Sequence, residues 1–253
     1  MRTSSARLFS ARRRARRRLR LCAALLFAAG LLLILCALRA ARGLQEAVAP
    51  AGPGALVEAE PLSQADWPTG CESVSAVMAL RWAGAEITVD EFIGLYLPCA
   101  PLDWDGYRYT GPDPAKCFVG SPYESKGSYG CFAPVIAAAM QRAAPEGWTA
   151  LDLTGTDLEE LARLYLQRGI PVVIWATMEM RPVAEGTRWI IGDTGEEFVW
   201  PAGEHCLLLV GEDGGDYLLN DPRAGATVRY SKELVAARYE ELGRQAVAME
   251  KVL

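Results

Sequence analysis

Histidine occurs once in the 253 residues, as His205. That scarcity excludes a histidine-rich metal centre and leaves no other imidazole to act as a base. The seven cysteines contain no Cys-x-x-Cys pair, which argues against zinc bound at the usual spacing. No metal and no cofactor is expected. Acid is missing from residues 1–42, which hold 11 arginines. The remaining 15 Lys+Arg, in residues 43–253, face all 31 Asp+Glu. The two parts thus carry +11 and −16, and the net charge of −5 describes neither. Two compartments explain that division better than one folded domain. The chain also has no internal repeat and no ATP-binding motif.

What is present begins with a membrane signal. Leu21 to Leu38 is 18 residues without a charge, preceded by seven arginines between Arg12 and Arg20. A span needs ~20 mainly apolar residues, and Ala40 and Ala41 extend the run beyond Arg39. The positive-inside rule keeps residues 1–20 as a basic cytoplasmic arm and puts the rest outside the cell. Residues 21–41 are read as a transmembrane anchor in the cell membrane. A cleaved signal peptide is the alternative, but its apolar core is usually ~7–15 residues. Arg39 and Arg42 also sit where the cut would fall. A nucleic-acid-binding arm is disfavoured by the adjacent apolar run. Residues 42–62, rich in Ala, Pro and Gly, read as a linker. Residues 63–253 are long enough for one well-packed domain.

In that domain, Cys71 to Ala83 reads as an amphipathic helix and Thr88-Val-Asp-Glu91 as a capping box opening a second. Residues 98–130 form a long loop rich in Pro, Gly and aromatics, a length that usually signals function. Within it, Cys99 and Cys117 flank a stretch rich in Pro, Gly, Asp and Tyr where a disulfide helps most, and Cys206 reads as a buried thiol. Helices follow at Pro134–Arg142 and after Thr156-Asp-Leu-Glu159, a second capping box. Trp148–Leu153, Pro171–Thr177, Glu197–Trp200, His205–Val210, Tyr217–Asn220 and Thr227–Tyr230 read as strands. A last helix, capped by Ser231, precedes a strand at Gln245–Met249. Helices first and clustered strands later indicate an α+β fold with a mostly antiparallel sheet.

Four residues carry the chemistry. Pro68-Thr69-Gly70 turns directly into a helix opened by Cys71. A helix N-terminus has unpaired N–H groups and a partial positive charge, both of which favour a thiolate nucleophile. A structural cysteine is the plainer alternative. His205 heads an apolar strand, about 130 residues later, in the order that papain-like enzymes use. Asp221 lies 16 residues after His205, across a Gly-rich turn. Antiparallel pairing brings it back near the imidazole, whose tautomer and charge it can fix. Neighbouring Asn220 is the rival, since strand alternation lets only one of them face the ring. Gln64, seven residues before Cys71, either donates to an oxyanion or is a solvated linker residue. Glu72, Glu204 and Trp175 read as surface or packing residues.

Pro-Thr-Gly-Cys71-Glu-Ser-Val-Ser-Ala-Val-Met-Ala-Leu resembles the nucleophile motif of the bacterial family thirty-nine-like cysteine peptidases of the papain clan. Phe118-Val-Gly, Gly130-Cys-Phe-Ala-Pro-Val-Ile, Ile174-Trp-Ala-Thr-Met, Glu204-His205-Cys and Asn220-Asp221-Pro222 are similar to that family in the same order. The resemblance covers roughly residues 62–250. It implies a papain-like fold with Cys71 as nucleophile, His205 as base, Asp221 as orienting carboxylate and Gln64 as oxyanion donor. The founding members cut bacteriocin leaders after double glycine, are joined to a transporter and carry Asp-Cys-Gly. This chain has Gly-Cys-Glu and a single span. The expected function is a membrane-anchored extracytoplasmic cysteine peptidase with a peptide or protein substrate and no nucleic acid. A cell-wall amidase or endopeptidase is one alternative, and a non-catalytic binding module on a papain-like scaffold is another.

Overall fold

The computed structural model describes residues 56–252. The arginine arm, the apolar run 21–41 and the linker up to residue 55 lie outside the described residues. Among the described residues no helix is long and apolar enough to cross a membrane.

Helix α1 (Cys71–Trp82) comes first, and every residue from Cys71 to Leu80 is buried. It is therefore a central helix and not the amphipathic one expected. Its polar residues Glu72, Ser73 and Ser75 face neighbouring elements instead of water. Gly70 caps it because a Cβ there would lie 2.7 Å from that of Trp67. Helix α2 (Val89–Tyr96) opens with the expected capping box, in which Thr88 Oγ1 accepts from Glu91 N and Glu91 from Thr88 N.

The long loop is partly built of short strands: β1 (Cys99–Ala100), β2 (Asp103–Trp104), β3 (Tyr109–Gly111) and β4 (Phe118–Val119). Helix α3 (Ala133–Ala143) and strand β5 (Trp148–Asp152) follow. Helix α4 (Leu158–Leu164) begins after Asp157 without a side-chain cap, so the second capping box does not form. Gly169, at φ 74°, closes the following turn in the left-handed region that glycine tolerates best.

The remaining elements are β6 (Val172–Thr177), β7 (Ala184–Ile191), β8 (Glu197–Ala202), β9 (Glu204–Asp213), β10 (Asp216–Asp221), β11 (Ala226–Ser231), α5 (Lys232–Glu241) and β12 (Ala246–Lys251). The main sheet runs β11-β10-β9-β6-β12-β5 and is antiparallel throughout. A smaller sheet, β2-β3-β7-β8, includes β7, which the sequence reading did not pick out. The larger core buries α1 against β6 and β9. A second cluster of Val119, Trp189, Ile191 and Trp200 sits beneath the smaller sheet. This is the expected mixed helix-and-sheet class, with helices gathered early and the sheet late in the chain.

Two differences from the sequence reading matter for the site. Residues 56–57 are part of the fold and not of a free linker. Leu56 bridges Gly211, and Val57 N donates to Val210 O at 2.7 Å. Beside that contact, the pairing of β9 with β10 shifts by one residue. Leu218 pairs with Gly211, but Leu219 pairs with Leu209, leaving Val210 as a bulge.

Candidate active site

Strand β9 is fixed between β6 and β10, and His205 near its start is buried opposite Ala176. Its Nε2 lies 2.7 Å from Asp221 Oδ1. The bulge decides this partner. In the register before it, Asn220 would pair with Leu209, on the His205 face of β9. In the register after it, Asn220 pairs with Leu208, and the next residue, Asp221, turns to the His205 face. Asn220 instead donates to Ala59 O at 2.8 Å and accepts from Thr227 Oγ1 at 2.7 Å. Burial works to raise the Asp221 carboxyl. The His205 contact and the backbone N–H groups of Arg223 and Ala224 more than offset it, holding the carboxyl below its usual range.

Cys71 is at the N-terminus of α1 and lines one cleft with Gln64, His205 and Glu204. The cleft encloses about 320 Å³, and Thr69, Ser128, Tyr129, Met178, Trp200 and Arg223 contribute to its walls. The structure thus brings Cys71 and His205 to one opening, with no hydrogen bond recorded between them. The Cys71 thiol instead donates to Glu72 Oε2 at 3.3 Å. Since Nε2 of His205 is taken by Asp221, Nδ1 is the ring nitrogen left for the thiol. Gln64 is tied in from two directions. Its backbone N–H donates to Pro222 O at 2.9 Å, next to Asp221, and its side-chain Nε2 donates to Pro68 O at 3.2 Å. It is a buried residue and not a solvated one.

Two glutamates, Glu72 and Glu204, are also buried at the site. Glu72 is fully buried, and its Oε1 accepts from Cys131 N at 2.8 Å. Gly130 makes room for it, since a Cβ there would lie 2.2 Å from Glu72 Oε1. Burial pushes the Glu72 carboxyl up to about 7. Glu204 is buried too, and its Oε1 has no hydrogen-bond partner. Burial, then the charge of Glu72, pushes its carboxyl well above the ordinary range. Burial followed by Glu72 and Glu204 also raises the Cys71 thiol. The helix N-terminus, expected to favour a thiolate, is therefore outweighed in this state. The only sequence signal for these glutamates was adjacency, each being next to a candidate catalytic residue. Trp175 is a packing residue as expected, fully buried with its Nε1 donating to Cys131 O at 2.9 Å.

All five described cysteines are free thiols, including Cys99, which begins β1, and Cys117, which precedes β4, so the expected bridge does not form. Cys206 is buried in β9, as expected.

The sequence and the fold have counterparts in known proteins. The sequence pattern of the Peptidase_C39 like family matches residues 57–247. The uncharacterized protein YvpB of Bacillus subtilis (strain 168) is 26% identical over 182 residues, which is 72% of this chain and 69% of YvpB. A Bacillus anthracis crystal structure, classed as that of a C39-like peptidase, superposes with a TM-score of 0.69 at 25% identity. That match covers 78% of this chain and 98% of the other.

Proposed function

This chain belongs to the Peptidase_C39 like family, and we propose that it hydrolyses peptide amide bonds as a membrane-anchored, extracytoplasmic cysteine peptidase. The observation carrying this reading is the buried 2.7 Å His205–Asp221 contact, at the cleft that Cys71 lines. Asp221 fixes the imidazole with Nε2 as its bonded nitrogen. His205 Nδ1 takes the Cys71 S–H proton as sulfur attacks the carbonyl carbon. The oxyanion accepts from a Gln64 side-chain N–H and from the backbone N–H of Cys71. The imidazolium returns its proton to the leaving amine. Water, deprotonated by His205, then hydrolyses the thioester and releases the acid.

The test is hydrolysis of a mixed peptide library by the full chain, read by mass spectrometry, beside Cys71→Ala and His205→Ala. Cleavage lost in both variants is the expected result. Cleavage that persists in either removes the triad. No cleavage by a folded wild-type chain favours the binding-module reading, and cleavage of cell-wall fragments alone favours the amidase.

The anchor rests on the arginine cluster and on the 18 uncharged residues after it. Protease added to intact cells is expected to digest residues 43–253. Protection until lysis would reverse the orientation.

A further inference from the structure

Beside the nucleophile lies a set of donors that the proposed mechanism leaves unused. The ligand atoms of Cys71, Glu72 and Glu204 all lie within 4.8 Å of one another. The three residues are 6%, 0% and 7% exposed. Glu204 Oε1 is buried and has no partner. Two carboxyls and a thiol in a dry pocket repel one another when ionised. Among the described residues no basic group offsets either glutamate. Protonation of these groups or a bound cation relieves that repulsion.

We propose that Cys71 Sγ, a Glu72 carboxylate oxygen and Glu204 Oε1 form a site for one borderline-soft divalent cation of the zinc class, which reversibly blocks the nucleophile. One thiolate and two carboxylates suit such an ion, since sulfur discriminates against Mg²⁺ and Ca²⁺. Bonds of ~2.3 Å to sulfur and ~2.0–2.2 Å to oxygen need donors somewhat closer than 4.8 Å, a closure that small side-chain rotations supply. Glu72 is already held by Cys131 N through its Oε1, which leaves Oε2, the present acceptor of the Cys71 S–H, to face the ion. The cation replaces that thiol proton and any proton on the carboxyls, which pass to solvent. Three protein donors leave one tetrahedral position for water. Entry is through the cleft that Cys71 and Glu204 line. A bound ion occupies the sulfur that must attack the substrate, and a chelator restores it. The inhibitory consequence rests on Cys71 being the nucleophile, but binding itself does not.

The test uses the full chain in detergent with Co²⁺ as probe and no substrate, so its outcome does not depend on peptidase activity. A sulfur-to-cobalt charge-transfer band at one ion per chain is expected, unaffected by excess Mg²⁺. Zn²⁺ is expected to displace the band and to slow alkylation of Cys71, followed by peptide mass spectrometry, at least tenfold. Glu204→Gln, nearly isosteric, is expected to weaken Co²⁺ binding at least tenfold. Cys99→Ser/Cys117→Ser is expected to leave the band unchanged. A folded wild-type chain without the band overturns the proposal. So does a band that survives Cys71→Ser, that vanishes in Cys99→Ser/Cys117→Ser, or that ignores Glu204→Gln. Failed hydrolysis with an intact band would instead count against the peptidase reading alone.

Discussion

The two sides of the cleft solve opposite electrostatic problems. On one, a carboxyl and an imidazole meet at 2.7 Å, and backbone N–H groups help hold the Asp221 carboxyl low. On the other, two glutamates and a thiol share a buried space in which burial raises all three, Glu72 adds to the rise of Glu204, and both glutamates add to that of Cys71. The first side gives its carboxylate a hydrogen-bonded partner. The second holds its thiol protonated. The His205–Asp221 pair is thus built into the sheet, and in the proposed mechanism sulfur is activated by proton transfer to His205 rather than by a standing thiolate.

The largest test of this contrast is His205→Ala. It is expected to lower kcat/KM by up to about 10⁶, comparable to removing Cys71, because His205 is the single imidazole and the proposed acceptor of the thiol proton. A loss of tenfold or less would show that the thiol ionises unaided. Asp221→Asn is expected to cost about 10⁴ through the wrong imidazole tautomer. Asn220→Ala should instead lower the melting temperature and leave KM unchanged, as its amide bonds Ala59 and Thr227. Gln64→Ala is expected to cost about 10² in kcat, the usual effect of losing one oxyanion donor.

The smallest effect is on stability, and there the two sides have opposite signs. Glu72 is pushed up to about 7 from an ordinary 4.5. Its neutral form stabilises the fold fully below 4.5, and that contribution is lost as pH rises through about 7. Asp221 is lowered from 3.8, so its contribution is present above 3.8 and is lost as pH falls through the lowered value. Glu72→Gln, which stays neutral, is expected to leave only the Glu204 contribution to the pH dependence and to remove the Glu72 fall in melting temperature between pH 4.5 and 7. That fall corresponds to a loss on the order of a few kcal/mol. An unchanged profile would mean that Glu72 is ionised at no cost.

Much of the fold was legible along the chain. The Thr88–Glu91 box, the Ser231 cap and the strand runs from Val172 onward are written in local spacing. Strand β7 was not, because its first half, Ala-Glu-Gly-Thr-Arg, lacks an apolar alternation and is held by pairing with β8, while β3 pairs with Ile190 and Ile191. The box at Thr156 failed because the helix starts at Leu158, one residue later than that spacing requires.

By itself the sequence determined the order of cysteine, histidine and carboxylate and the class of fold, since caps and apolar periods act over a few residues. Tertiary structure alone decided that Asp221 and not Asn220 meets His205. A single bulge at Val210, beside the 56–57 contact, sets the face of every later residue of β10. Tertiary packing likewise made Glu72 and Glu204, expected as surface or packing residues, a buried pair. Burial depends on which distant elements cover a side chain, and here Gly130, 58 residues after Glu72, leaves the space that its carboxyl fills.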